Sequence, residues 1–168
     1  MTSKKKKQSM LDYFETKMNQ LDFDGDLSLN WDPSAHVFEL MITMTANNHE
    51  HITLENQAGT TTADEEISYE DAILFYDRKR VDGDEYAANY LATLPFDAKQ
   101  GMSIAEADGF FTYFQDVLDD GMSDLLDFLD PNTDQTTFEL QWSNEQFAAA
   151  VAAQAPYKQK EWLAYPKY

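Results

Sequence analysis

The order in which helical and alternating hydrophobic patterns follow one another constrains the fold of this chain most. Apolar residues recur at helical spacing over 10–21, and alternating segments follow at 27–31 and 37–45. Residues 67–77 are apolar on both faces, which suits a central strand covered by helices, and residues 90–96 predict another strand. Helical spacing then dominates the second half of the chain. Strands segregated from helices in this way predict an α+β fold with a mostly antiparallel sheet of about five to six strands. Helices are expected on one face of that sheet.

Serine residues mark where the predicted helices begin. A Ser followed three residues later by Asp, Glu or Gln precedes three helical segments, at Ser9, Ser103 and Ser143. Such a side chain accepts a hydrogen bond from the first helical turn, which predicts an N-terminal helix, a long middle helix and a C-terminal helix. Gly121 is predicted to end the middle helix, with Ser123 starting a shorter helix that Pro131 ends.

Turn residues and further alternation complete the prediction of strands. Asn47 and Asn48 favour a turn, so residues 51–55 are interpreted as the returning strand of a hairpin. Pro95 places its strand near a sheet edge or a bend, because proline lacks the N–H that a central strand donates. Residues 136–142 alternate apolar with polar side chains and predict a last strand.

Length and aromatic content indicate one domain. A chain of 168 residues can bury one core, and its 14% aromatic content supplies the apolar area that offsets chain entropy. Residues 1–8 are interpreted as a disordered basic tail, residues 9–156 as the domain, and residues 157–168 as an aromatic and basic C-terminal segment that docks on it.

The chain contains no cysteine, which excludes disulfides, thiolate metal sites and thiol nucleophiles. The start is basic like a signal peptide, but residues 8–21 carry charges in place of an apolar run, so no export signal is predicted. The longest other apolar run, 147–153, is far shorter than a membrane span. We therefore expect a cytoplasmic protein.

The charge is strongly negative and unevenly distributed. The formal net charge is −19, while residues 8–157 alone hold 30 acidic and five basic residues, a net charge of −25. Such a body repels phosphate backbones and anionic lipid, so neither direct nucleic-acid binding nor membrane binding is expected. Basic protein partners are favoured, and the alternative is that the charge only maintains solubility.

Several motifs together resemble a known family. They are Asn30-Trp31-Asp32, the strand 69–76, Leu94-Pro95-Phe96, residues 125–129, residues 138–142 and the ending Tyr165-Pro166-Lys167-Tyr168. These motifs resemble an uncharacterised domain-of-unknown-function family of small acidic proteins from lactic-acid bacteria and related Firmicutes. The resemblance covers about residues 10–168. It implies a cytosolic protein and brings no activity, substrate or catalytic residue.

The search for catalytic and metal-binding motifs yields two weak candidates and no cofactor motif. His49 and His51 lie on one side of an extended segment and could chelate a divalent metal with a nearby carboxylate; the alternative is a polar hairpin end. Asp22, Asp24 and Asp26 resemble the start of a calcium loop, but the glycine is misplaced and the final Glu is missing. The alternative there is a solvated turn.

The C-terminal segment suggests interaction. Trp162, Tyr165 and Tyr168 alternate with lysines, giving an amphipathic strip whose charge is opposite to that of the body. The first expected target is the domain itself, and the second is a partner chain.

Three functions from different classes remain open. The first is a non-catalytic, acidic protein-interaction module of the adaptor or chaperone type. The second is a DNA mimic that occupies a nucleic-acid-binding protein, which requires carboxylates aligned on one face. The third is a metal-dependent enzyme that uses His49 and His51. The sequence leaves the oligomeric state undetermined.

Overall fold

The computed structural model describes residues 8–47, 54–55, 61–62, 66–130 and 138–167. In these ranges the chain forms three α-helices, two 3₁₀ helices and eight strands. The helices are α1 (Met10–Gln20), α2 (Ile104–Phe128) and α3 (Asn144–Ala152), with 3₁₀ helices at Gly83–Asn89 and Pro156–Gln159. The strands are β1 (Asp26–Asp32), β2 (Val37–Asn47), β3 (Leu54–Glu55), β4 (Thr61–Thr62), β5 (Glu66–Asp77), β6 (Ala92–Phe96), β7 (Met102–Ser103) and β8 (Trp162–Leu163).

The main sheet has the strand order β1-β2-β5-β6. The pairs β1–β2 and β2–β5 are antiparallel, whereas β6 joins β5 in parallel after a connection that contains the first 3₁₀ helix. The predicted α+β class with a mostly antiparallel sheet is therefore confirmed. Within the described residues this sheet has four strands, fewer than the five to six predicted. Pro95 lies on β6 at an edge, where its missing N–H costs no ladder bond.

Two small two-stranded sheets lie outside the main one, and one of them corrects the predicted hairpin. Leu54–Glu55 pairs with Thr61–Thr62, so this segment does not return beside β2. The neighbours of β2 are β1 and β5, and its register with β5 runs from Val37 opposite Tyr76 to Asn47 opposite Glu66. The long strand β5 pairs along the whole of β2 and so takes the position beside β2 that the predicted hairpin strand would have had. The other small sheet joins β7 to β8.

The core lies between the main sheet and the helices α1 and α2. Four alternate side chains of β2 are almost fully buried on this face: Phe38, Leu40, Ile42 and Met44. The ring of Phe14 from α1 packs against Phe38 of β2, Phe75 of β5 and Phe111 of α2. One aromatic side chain thus joins three elements, and burial of rings of this size dominates the stabilisation of such a core.

The predicted helix caps are present. The hydroxyl oxygens of Ser9, Ser103 and Ser143 each accept a hydrogen bond from the backbone N–H three residues later, at 3.1, 3.1 and 3.2 Å. Each bond satisfies one N–H that has no partner within the helix, which fixes where the helix begins.

The predicted break at Gly121 is wrong, because α2 runs without interruption from Ile104 to Phe128. Gly121 does not have a positive φ, so it is not a left-handed helix cap. A Cβ atom at this position would lie 2.3 Å from Cδ2 of Leu140 and 3.2 Å from Cε of Met44. The glycine therefore allows Leu140 and Met44 to pack closely against the helix. The sequence pattern alone cannot distinguish this role from that of a helix end.

The predicted last strand is also not observed. Residues 138–142 belong to neither a helix nor a strand, and residues 136–137 lie outside the described ranges. Leu140 is buried and its neighbours on both sides are exposed, so the alternation correctly indicates burial. Phe138 packs edge-on against Tyr69 with ring centroids 4.8 Å apart, and the segment is held by such side-chain contacts in place of a ladder.

Candidate functional site

The C-terminal half of α2 carries a row of exposed carboxylates. Asp116, Asp120, Asp124 and Asp127 are separated by four, four and three residues, so successive members lie one turn apart on the same side of the helix. All four are exposed. Within the described part of the chain, none of them lies within salt-bridge distance of a lysine or arginine. We call these four residues the acidic face of α2.

This arrangement costs stability. Like charges one turn apart on a helix repel each other by about 0.2–0.5 kcal/mol per pair. The C-terminal end of a helix also carries a partial negative charge, and α2 has no basic residue in its last turn to offset it. Leu126, which is 57% exposed, lies about 100° around the same helix from Asp127 and is an exposed apolar side chain outside the row. Cations from outside this helix would therefore relieve the repulsion within the acidic face.

Elsewhere on the same helix a carboxylate is fully compensated. Asp108 is 6% exposed, and it accepts a hydrogen bond from the hydroxyl of Tyr13. The ammonium groups of Lys158 and Lys17 lie 2.8 and 3.5 Å from its two oxygens. Burial alone would raise the pKa of Asp108, but the Lys158 and Tyr13 hydrogen bonds outweigh it and hold that pKa below the ordinary value. Asp108 thus connects α1, α2 and the second 3₁₀ helix.

A cavity of about 640 Å³ lies at the other end of the sheet. Its lining comes from the β1–β2 turn, the ends of β5 and β6 and the C-terminal segment: His36, Asp77, Lys79, Arg80, Asp97, Ala98, Lys99, Tyr165, Pro166 and Lys167. We call it the basic cavity.

Two buried carboxylates organise the cations of the basic cavity. Asp97 accepts the backbone N–H of Lys99 at 2.8 Å, and the Lys79 ammonium lies 3.1 Å from it. These two contacts hold the pKa of Asp97 below its ordinary value. Nε of Arg80 lies 3.5 Å from Asp77, which is itself 2% exposed. The strand ends of β5 and β6 thereby fix a basic loop against the sheet.

Comparison with known proteins places the chain in a family. A family model described as "Protein of unknown function (DUF3013)" matches residues 5–167. The chain belongs to this family. It is also similar to the crystal structure of a conserved protein of unknown function from Enterococcus faecalis, with 35% sequence identity and a TM-score of 0.81. That match covers 99% of this chain and 100% of the other. No match was found among curated proteins.

Membership of the DUF3013 family confirms the resemblance drawn from the sequence motifs, including its connection to Firmicutes. The family description and that of the Enterococcus structure both leave the function unknown. The assignment of a site therefore depends on the geometry of this chain. Among the described residues, no helix is long and apolar enough to cross a membrane.

Of the residues proposed as metal ligands, the structure describes Asp22, Asp24 and Asp26. His49 and His51 lie outside the described residues. Asp22 and Asp24 are exposed on the connection from α1 to β1, and Asp26 is exposed as the first residue of β1. The described ranges contain no group of three or more His, Asp or Glu side chains that could hold a metal ion.

The aromatic residues of the C-terminal segment lie in different environments. Trp162 is in β8, paired with Ser103 of β7. The ring of Tyr165 stacks near Phe96 at 5.7 Å between centroids, and its hydroxyl oxygen accepts a hydrogen bond from Nε1 of Trp31 at 3.0 Å. Tyr168 lies outside the described residues. Tyr165 therefore contacts the domain and also lines the basic cavity.

Sequence reasoning missed the basic cavity and the acidic face. The run Arg78-Lys79-Arg80 is the sole cluster of basic residues in the acidic span 8–157. That local reversal of charge is the signal that could have identified the cavity. The acidic face was detectable from the spacing of Asp116 to Asp127 once an unbroken helix was assumed.

Proposed function

We propose that this protein is a non-catalytic, cytoplasmic interaction module that binds a partner protein with a basic surface through the acidic face of α2. The observation that carries the proposal is the uncompensated row Asp116, Asp120, Asp124 and Asp127 at the C-terminal end of a helix. Cationic side chains of a partner would relieve both the repulsion within the row and the unfavourable helix dipole.

The exposed Leu126 supports a protein partner in particular. Protein interfaces combine an apolar contact with a charged, solvated rim, and α2 carries both an exposed apolar side chain, Leu126, and the carboxylate row on neighbouring sides of one helix. The cytoplasmic location is supported by the absence of cysteine, since structural disulfides are common in proteins of oxidising compartments.

Charge density argues against the alternative of a DNA mimic. The acidic face spans 12 residues of helix, or about 16 Å from first to last, and presents four carboxylates. Duplex DNA carries one charge per about 1.7 Å, so the same length of DNA presents about nine. A single row at this spacing therefore matches the basic side chains of a protein helix or strand better than it matches a DNA-binding surface.

The test compares two variants of equal net charge. In the first, Asp116, Asp120, Asp124 and Asp127 are all replaced by Asn. The second removes four exposed acids from other elements, through Asp24→Asn, Glu15→Gln, Glu85→Gln and Glu161→Gln. Binding of an unstructured Lys- and Arg-rich peptide is measured by calorimetry at low and high salt.

We expect the acidic-face variant to lose at least about tenfold in peptide affinity, because four surface ion pairs of about 0.5 kcal/mol each are removed. The scattered variant should lose about threefold or less. Equal losses in both variants would show that only net charge matters and would refute the proposal. With natural partners, competition by duplex DNA would identify a nucleic-acid-binding protein and revive the DNA-mimic alternative.

A further inference from the structure

The basic cavity reverses the charge of the molecule. Eight of the chain's basic residues lie between positions 8 and 167. Five of them gather at the cavity: Lys79, Arg80, Lys99 and Lys167 line it, and Arg78 pairs with its buried Asp97 at 3.7 Å. Against these five cations stand two carboxylates, so the site carries a net charge of +3 inside a body that is strongly negative. A local concentration of this kind requires an explanation beyond solubility.

The compensation inside the cavity is incomplete. Asp77 and Asp97 already contact Arg78, Lys79 and Arg80. Among the described residues, neither Lys99 nor Lys167 has a carboxylate within salt-bridge distance, and both side chains are exposed at the cavity mouth.

One wall of the cavity is held in an uncommon conformation. His36 has φ +57°, in the left-handed region that residues with a side chain seldom adopt, and its backbone oxygen accepts the N–H of Asp77 at 3.1 Å. Its ring stacks on Tyr165 with centroids 5.3 Å apart. Nδ1 of His36 is buried without a hydrogen-bond partner and lies 3.9 Å from Oδ2 of Asp77, too far for a hydrogen bond. Buried polar atoms without a partner are rare in folded proteins, so this wall of the cavity is unusual in its hydrogen bonding as well as in its backbone.

We propose that the basic cavity binds a small anion with two or more negative charges, of the kind carried by pyrophosphate and phosphate esters. Lys99 and Lys167 would contact the free oxygens, and the ring of His36 would form part of the cavity wall. The volume of about 640 Å³ suits a small molecule. Longer polyanions are excluded, since a nucleic acid or an anionic membrane would meet the negative surface surrounding the cavity.

The probe is inorganic pyrophosphate, measured by calorimetry and by ³¹P line broadening at an ionic strength kept constant with chloride. Lys99→Ala and Lys167→Ala are combined in one variant. The control is Lys160→Ala, which removes an exposed lysine that does not line the cavity. His36→Asn forms a second test, because Asn tolerates the left-handed conformation and so keeps the backbone.

We expect saturable binding to the unaltered protein and a loss of at least about tenfold in affinity in the double variant, since charge-assisted contacts are removed. His36→Asn should weaken binding in protein that remains folded, and Lys160→Ala should bind within about twofold of the unaltered protein. Absence of saturable binding at millimolar pyrophosphate would overturn the inference. An equal loss in Lys160→Ala would also overturn it, because it would indicate non-specific attraction.

Discussion

The acidic face of α2 and the basic cavity lie at opposite ends of the β2–β5 ladder. Gly121, in the middle of the acidic half of α2, packs near Met44, whereas the cavity adjoins Val37, seven residues or roughly 23 Å away along the strand. At one end, carboxylates are exposed, and no lysine or arginine of the described residues lies within salt-bridge distance of them; at the other, cations surround two buried carboxylates. Net charge therefore describes neither surface, because the charge of each region depends on which side chains the fold places there.

Substitution of Asp108 is expected to have the largest effect, because its carboxylate lies on the same helix as the acidic face but is buried and paired. We expect Asp108→Ala to lower the free energy of unfolding by about 3 kcal/mol, at the low end of the range for a broken buried pair because Lys17 and Lys158 are partly exposed. Asp116→Ala, on the exposed row, should change it by about 0.5 kcal/mol or less. Urea unfolding measures both, and similar losses would contradict the distinction.

The contribution of the Asp108 carboxylate to stability depends on pH with a defined sign. The pKa of Asp108 is lowered in the folded state, so its ionised form contributes stability above the ordinary value of 3.8. That contribution is lost as the pH falls from 3.8 through the folded pKa. We therefore expect the difference in unfolding free energy between the unaltered protein and Asp108→Asn to shrink below pH 3.8. A difference that stays constant there would refute the assignment.

Tyr165 tests whether the basic end can be disturbed separately. Tyr165→Ala should lower the free energy of unfolding by about 2 kcal/mol, because it removes the contacts of a half-buried ring with Trp31, Phe38 and Phe96. Tyr165→Phe should cost about 1 kcal/mol through loss of the hydrogen bond from Trp31. Both are measured by chemical denaturation. Peptide binding at the acidic face should persist in each folded variant, and its loss would show that the two ends are coupled.

Neutralising the acidic face should stabilise the protein. With Asp116, Asp120, Asp124 and Asp127 replaced by Asn, we expect a gain of about 1 kcal/mol at low salt, since three like-charge contacts and an unfavourable dipole interaction disappear. The gain should fall at high salt because exposed charges are screened. Thermal unfolding at two salt concentrations measures it, and destabilisation would show that the row is already compensated within the chain.

The smallest effect on stability is expected at the mouth of the basic cavity. Lys99→Ala combined with Lys167→Ala should alter the unfolding free energy by about 0.5 kcal/mol or less, because both side chains are exposed and unpaired among the described residues. Calorimetric unfolding provides the measurement. A large loss would mean that these lysines hold the fold together and would weaken their assignment to a ligand.

Much of the fold could be predicted because its signals are local. The caps at Ser9, Ser103 and Ser143 depend on hydrogen bonds within three residues, and the alternation from Phe38 to Met44 follows directly from the geometry of a strand. The errors occurred where a local pattern has two structural causes. Gly121 could end a helix or permit close packing, and the alternation of 138–142 could come from a strand or from an irregular segment with one buried side.

The sites were less predictable than the fold, since their residues meet only in three dimensions. The basic cavity combines His36, the 77–80 segment, the 97–99 turn and Tyr165 from the far end of the chain. No spacing rule joins positions so far apart, and the charge run Arg78-Lys79-Arg80 by itself is typical of a solvated turn.

The amino-acid sequence alone determined the α+β class, the family, the helix starts and the negative charge, because these follow from periodicity, short-range hydrogen bonding and composition. Only the tertiary structure decided that α2 is continuous, that β6 pairs in parallel, and that the few cations of an acidic chain gather in one cavity. The physical reason is that close packing and charge compensation are set by neighbours in space, which periodicity along the chain does not specify.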